Sequence, residues 1–289
     1  MGDQVGDAVT GTLYCIPYSE FERIRKLSAD KIKITEIFAN MARLNTLYMI
    51  GRAGSGHIGS SFSSMDIISW LLLNELSEPN LLTNDAGNIY FSSKGHDAPG
   101  YYTALIGAGR MEFDLIHKLR RIDGLPGHPD IHIDCIESNT GSLGMGISKA
   151  KGMVTANRLL SRTGSVYVMT GDGELQEGQF WESLISAVNN NFHEIVVIID
   201  HNKLQSDTFV SHVSDLGDLD AKLKAFGWHV ERIDGHDISK IAITVDNLKK
   251  ITNKPKIIIA DTIKGKGVSF MEGKVEYHGA SPTPEELEK

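Results

Sequence analysis

Two apolar runs, each closed by a polar cluster, set the tightest limit on how this chain can fold. The first is Ser165 to Thr170, followed directly by Gly171-Asp172-Gly173. The second is Glu194 to Asp200, carrying Ile-Val-Val-Ile-Ile and closing on the polar cluster Asp200-His201-Asn202-Lys203-Leu204. Runs this short and this continuously apolar predict strands buried on both faces. Between them, Glu174 to Asn190 reads as a helix, with Phe180, Leu184 and Val188 on one stripe. Asn202 lies thirty positions beyond Asp172, about the length of one β–α–β unit, so the two side chains can return to the same edge of a sheet. Trp228 to Ile233 and Lys256 to Ala260 repeat the strand pattern around a helix near Ser239 to Lys250. The implied class is α/β, a parallel sheet flanked by helices and joined by right-handed crossovers.

The first half is less regular. Residues 1–18 are unpatterned and read as an N-terminal extension, leaving residues 19–289 as a single domain. From Ser19 to Ile50 apolar residues recur at helical spacing, with a break near Asp30. A glycine-rich corner from Gly51 to Gly59 follows, then an apolar helical stretch from Met65 to Leu76. The formal net charge of −8 gives no support to a nucleic-acid surface. Two cysteines, Cys15 and Cys135, are too few for a disulfide framework or a thiolate metal site. No apolar run reaches the roughly 20 residues of a membrane span, and Met1 to Tyr18 lacks the basic start and apolar core of a signal peptide. A cytoplasmic setting is the expectation.

In an open parallel sheet, ligands gather beyond the carboxyl ends of the strands. Both polar clusters sit there. Glycines flanking Asp172 let backbone approach a bulky anion, and the N–H groups at the following helix start favour phosphate. A carboxylate, a carboxamide oxygen and a nearby main-chain carbonyl are hard oxygen ligands, suited to Mg²⁺ held jointly with phosphates. Gly-Asp-Gly alone is commonly only a turn; the preceding strand, the spacing and Asn202 together shift it to a site. The chain has no Gly-x-x-x-x-Gly-Lys-Ser/Thr loop, and Gly141-Ser142-Leu143-Gly144-Met145-Gly146 lacks the dinucleotide-binding order.

Gly171-Asp172-Gly173 followed by Asn202 resembles the thiamine-diphosphate motif, and Gly-Asp-Gly-Glu-Leu-Gln-Glu-Gly at residues 171–178 resembles transketolase in particular. Further segments agree in order: Ser55-Gly56-His57-Ile58-Gly59, Ser93-Lys94-Gly95-His96, Gly127-His128-Pro129, the Thr140 to Gly146 run, and His278-Gly279. The resemblance spans about Ser19 to the C-terminus.

It implies that thiamine diphosphate and a divalent ion, Mg²⁺ or Ca²⁺ or Mn²⁺ in its place, are the cofactors. Asp172, the Asn202 side chain and the Leu204 carbonyl would hold the metal. Gly173, His96 and His278 would contact the diphosphate, with Gly171 and Glu174 beside them. The backbone at Gly141, Ser142 and Leu143 would lie along the aminopyrimidine. His57, His128 and His278 would face substrate, and Glu177 would join a carboxylate network linking paired sites. Ile58 and Ser142 stand where the family usually has proline, and His201 where it commonly has aspartate; none of these changes removes a ligand.

The family's second domain, which supplies a catalytic glutamate and a pocket for the pyrimidine ring, has no counterpart here. The resemblance therefore implies a split enzyme, an N-terminal subunit whose partner carries the remaining domains, assembled as an α2β2 heterotetramer. The expected reaction is transfer of a two-carbon ketol unit from a ketose to an aldose, with the groups that grip a distal phosphate or sulfonate placed in the partner. Another two-chain thiamine-diphosphate enzyme, a 2-oxoacid dehydrogenase or acyloin synthase, is one competing reading; the four histidines of the motifs argue against it. A non-catalytic Mg²⁺-phosphate module is the other, and the full set of expected ligands argues against that.

Overall fold

The structure, a computed structural model, describes residues 13–76 and 87–287. Five strands, β1 (Ile89–Ser92), β2 (Val166–Gly171), β3 (Ile195–His201), β4 (His229–Asp234) and β5 (Lys256–Asp261), form one sheet. Its order is β1-β2-β3-β5-β4, and every neighbouring pair is parallel. All five therefore end at the same edge, which brings the segments after Ser92, Gly171, His201, Asp234 and Asp261 together. Register pairs Gly171 with Asp200, so Asp172 and the 201–204 segment leave the sheet side by side.

The strand side chains alternate between two apolar layers. Tyr167, Met169, Val196, Ile198 and Ile258 enter one core, and Val168, Val197, Ile199, Ile257 and Ile259 enter the other. The first core is closed by α1 (Tyr18–Arg25), α2 (Lys31–Ala53), α3 (Ile58–Ser63), α4 (Met65–Trp70) and α5 (Ala98–Gly107). The second is closed by α6 (Gly146–Leu159) and α7 (Gly178–Asn189). After the short α8 (Val210–Val213) comes α9 (Leu219–Ala225) on the second core, then α10 (Ile238–Leu248) on the first. A final turn, α11, spans Pro284–Leu287. Among the described residues no helix is long and apolar enough to cross a membrane.

The expected break near Asp30 is a helix start. The Asp30 carboxylate accepts the Ile32 N–H at 3.2 Å and so caps α2. Of residues 1–18, only Leu13 onward lies among the described residues; there the Ile16 N–H and C=O bond both ends of the Asn45 side-chain amide, at 2.7 and 3.0 Å.

Three local features differ from the sequence pattern. The Glu174–Asn190 helix begins as a 3₁₀ turn, Gly173–Gln176, and α7 starts only after an extended Glu177. The Asp172 carboxylate claims the Gly173 N–H at 2.8 Å, which tightens that first turn. The Met65–Leu76 stretch is α4 followed by a π-helical turn at Leu71–Glu75. Strand β1 goes unread because four residues are too few to show a period.

The helix carrying the His57 corner is located by close backbone contact. At Gly100, on α5, an added Cβ would lie 2.8 Å from the Ser61 carbonyl oxygen and 2.9 Å from Ser61 Cβ on α3. Gly100→Ala should therefore push α3 and α5 apart and lower the unfolding free energy by about 1–3 kcal/mol. Urea denaturation at constant m-value would show it as a lower midpoint; an unchanged midpoint contradicts this packing.

Candidate active site

A cavity of about 370 Å³ opens at the carboxyl edge of the sheet. Its walls come from α3 and the His57 corner, the segments after β1, β2, β3 and β5, the 141–143 run, and His278. Of the residues singled out in the sequence, His57, His96, His128, Gly141, Leu143, Gly171, Asp172, Gly173, Glu174, Asn202, Leu204 and His278 all line it. Ser142 and Glu177 do not; both side chains are exposed.

The floor is organised by a buried ion pair. Lys94 and Asp200 are 1% and 0% exposed at the side chain, and Lys94 Nζ donates to Asp200 Oδ2 at 2.6 Å. The same oxygen accepts from Ser63 Oγ at 2.7 Å and Asn202 Nδ2 at 3.3 Å, while Thr262 Oγ1 donates to Oδ1. A second carboxylate, Asp97, lies 3.4 Å from Lys94 Nζ. Burial works against the charge on both members of the pair, but their mutual attraction prevails. Asp200 is held below the ordinary carboxylate range and Lys94 above the ordinary lysine value.

This pairing orients Asn202. With its N–H₂ turned to Asp200, its carbonyl oxygen accepts the Leu204 N–H at 3.1 Å, folding residues 202–204 into a tight loop. Lys203 sits at φ 68° in that loop and donates its N–H to Asp172 Oδ2. Burial, with the Asp200 charge nearby, raises Asp172 to about 6. Glu174 braces the other side: its Oε1 accepts from Ser93 Oγ and the Gly144 N–H (2.8 Å), and its Oε2 from the Gly171 N–H at 3.2 Å. Among the described residues no group of three or more His, Cys, Asp or Glu side chains is arranged around a metal. The Asp172–Asn202–Leu204 set is of another kind, with one carboxylate and two neutral oxygens.

Three histidine rings meet above this floor. The His57, His96 and His278 centroids are 5.1, 5.3 and 5.4 Å apart. Lys264, buried under them, donates to the Leu204 carbonyl at 3.0 Å and to His278 Nδ1 at 2.5 Å. Burial lowers Lys264 to about 8. It also lowers His57 to about 4 and His278 to about 3, with nearby cations adding to the shift, and holds His96 well below its ordinary value. His128, at the exposed mouth, is shifted down as well, by burial and by the Arg120 charge. Gly95 has φ 56°, and a Cβ there would meet Thr140 at 2.7 Å and His128 Cδ2 at 3.1 Å, so a glycine lets the loops close.

Lys264, Asp200, Gln176, Gln205, Ser60 and Ser206 also line the cavity, although the motifs do not mark them as site residues. Lys264 carries a signal of the same kind as Asp172: it falls three residues after the end of β5. Three buried polar atoms on the wall, His57 Nδ1, Ser60 Oγ and Gln205 Oε1, have no hydrogen-bond partner among the described residues. Such atoms are uncommon in a folded interior and mark a wall built for a polar ligand. Thiamine diphosphate with a divalent cation fits this donor set: hard oxygens at Asp172, Asn202 and Leu204, buried cations, and neutral imidazoles.

Residues 34–289 match the family described as "Transketolase, thiamine diphosphate binding domain". The chain is 37% identical over 250 residues to the 6-deoxy-6-sulfo-D-fructose transketolase subunit SqwG of Clostridium sp. strain MSTE9, covering 86% of this chain and 91% of that one. It is 36% identical over 278 residues to an apulose-4-phosphate transketolase subunit from Actinobacillus succinogenes, covering 95% and 96% respectively. Among solved structures, transketolase from Campylobacter jejuni superposes with a TM-score of 0.81 at 28% identity, over 87% of this chain. The match covers 41% of that protein, so the chain spans about two-fifths of its length.

The histidine shifts fix a pH dependence. Folded His57 and His278 titrate near 4 and 3, against 6.5 ordinarily. As pH falls below about 6.5 the unfolded chain takes up protons that the folded chain refuses. Stability from these groups is thus complete above pH 6.5 and is lost as pH falls toward 4. Histidine NMR titration should find both rings neutral at pH 6, and a His57→Gln/His278→Gln variant should lose less stability on acidification. Midpoints near 6.5 for either ring contradict this site electrostatics.

Proposed function

The chain belongs to the transketolase family, whose thiamine diphosphate-binding domain it carries, and from that premise we propose that it is the N-terminal subunit of a two-chain transketolase. The observation that carries the proposal is the meeting of Asp172, Asn202 and Leu204 with three neutral histidines on one cavity wall. Relatives matched over more than nine-tenths of their own length are themselves named as subunits. That supports a separate partner bringing the pyrimidine-binding domain and the catalytic glutamate, in a twofold α2β2 assembly of the large obligate class. A cytoplasmic place in carbohydrate metabolism agrees with a chain that carries only two cysteines, Cys15 and Cys135.

In this reading Asp172, the Asn202 side-chain oxygen and the Leu204 carbonyl hold Mg²⁺, and Gly173, His96 and His278 contact the diphosphate. The Gly141–Leu143 backbone lies along the aminopyrimidine. Bound thiamine diphosphate supplies the carbon nucleophile and electron sink needed to break the bond beside a ketose carbonyl. The chain's own part is to position and to move protons. Lys264 donates to His278 Nδ1, so the His278 proton sits on Nε2, where it can donate to a hydroxyl or carbonyl oxygen. His57 and His128, kept neutral, can each donate through one ring nitrogen and accept through the other. Those roles suit hydroxyls that lose and regain protons as a ketol unit leaves one sugar and joins another.

The named relatives act on 6-deoxy-6-sulfo-D-fructose and apulose 4-phosphate. We place the substrates of this chain in the same broad class, open-chain sugars with an anionic terminus.

Asp172→Ala removes the one full negative charge among the proposed metal ligands. Calorimetry of the assembled enzyme should show Mg²⁺-dependent thiamine-diphosphate binding in the wild type and none in the variant, with thermal unfolding still cooperative. Wild-type affinity in Asp172→Ala would remove the metal assignment.

A further inference from the structure

Arg120 is not itself part of the cavity lining but ties together the loops that carry two of its lining histidines, His57 and His128. Its Nη1 donates to Ser55 Oγ at 3.0 Å, two residues before His57. Its guanidinium lies against Gly127, where an added Cβ would come within 2.8 Å of Nε and 3.2 Å of Nη2. His128 is the next residue. The Arg120 charge reaches both imidazoles, adding to burial in shifting His57 and His128 toward neutrality. The backbone that aims it is a tight reverse turn: Arg120 sits at φ 55°, donates its N–H to the Leu125 carbonyl at 2.7 Å, and Leu125 donates back to Lys118 at 2.9 Å.

Among the described residues no carboxylate pairs with this charge. The side chain is exposed, and Ser55, a neutral hydroxyl, is its one hydrogen-bond partner among the described residues. A guanidinium carries five N–H donors in a planar fork matched to tetrahedral oxyanions. The deeper cations are differently engaged: Lys94 is paired with Asp200, and Lys264 is bonded to Leu204 and His278.

We propose that Arg120 is a specificity residue of this chain, its guanidinium binding the phosphate or sulfonate terminus of a sugar that lies across His57 and His128. The proposal rests on the transketolase reading for the identity of the sugar. It adds to the expectation that the grip on that terminus comes from the partner.

The test compares Arg120→Gln and Arg120→Lys with wild type in the enzyme assembled with its partner. The acceptors are D-glyceraldehyde 3-phosphate, its sulfonate analogue and uncharged D-glyceraldehyde, with L-erythrulose as a fixed donor. The preference, kcat/KM for an anionic acceptor over the uncharged one, should fall roughly tenfold in Arg120→Gln, the scale of one charge-assisted hydrogen bond. It should fall less in Arg120→Lys, which keeps the charge and loses the fork. The two anions separate a phosphate terminus from a sulfonate one. Equal losses for charged and uncharged acceptors would make Arg120 only a clamp between the histidine loops and overturn the proposal.

A second readout does not depend on ketol transfer. Inorganic phosphate added to the full chain should shift the His128 NMR signals in wild type and not in Arg120→Gln; identical shifts in both proteins would also overturn it. Absence of any transfer by the wild-type assembly would instead count against the transketolase reading.

Discussion

The carboxylate of Asp200 is the point on which the site geometry depends. It lies one residue before the end of the central strand β3 with no exposed surface, and it is bonded from four directions: Lys94 after β1, Ser63 on α3, Thr262 after β5, and Asn202 just past the strand. A buried ion pair is a poor source of net stability, because desolvation offsets most of the attraction, yet removing one member leaves a charge stranded at a cost of about 3–5 kcal/mol. Its value here is directional. It turns the Asn202 amide so that the oxygen is left for the loop and the cavity, and it joins segments from three strands. The negative charge it places near Asp172 helps hold that carboxyl at about 6, behind the effect of burial. Under the proposed assignment, a divalent cation reverses that penalty, since the ion becomes the largest charge in the site.

The same chemistry keeps the upper wall neutral. Burial, with nearby cationic side chains adding to it, makes a protonated ring costly at all three packed imidazoles, so the histidines act as hydrogen-bond donors and acceptors near neutral pH. Lys264 joins the two halves of the arrangement, since one ammonium touches both the Leu204 carbonyl and His278. Floor and wall therefore form one hydrogen-bonded unit, although their residues are spread from His57 to His278.

Much of this was legible in the sequence because the sheet is parallel. Strands buried on both faces leave continuous apolar runs, and residues just past each run must meet at one edge; that logic places Asp172 beside Asn202 without any structure. Strand β1 escaped because four residues, Ile89 to Ser92, cannot display a pattern. The Lys94–Asp200 pair, 106 positions apart, leaves no local trace, since ordinary spacing rules connect only near neighbours. Glu177 and Ser142 show the opposite limit. They share motifs with cavity residues but do not line the cavity, Glu177 being the extended residue before α7 and Ser142 exposed; the roles expected for them, a network between paired sites and a backbone contact, do not require a side chain on this wall.

Under the proposed assignment, a diphosphate-binding wall with imidazoles for proton transfer is one side of a catalytic centre. The proposal assigns the pyrimidine-ring contacts and the activating carboxylate to a separate chain, in line with relatives of similar length that are named as subunits. The most direct test is the rate of ketol transfer as the purified partner is titrated into a fixed amount of this chain, with thiamine diphosphate and Mg²⁺ saturating. The rate should begin at baseline, rise with partner and saturate at one partner per chain. Full turnover by this chain alone, after a co-purifying partner has been excluded, would contradict the account.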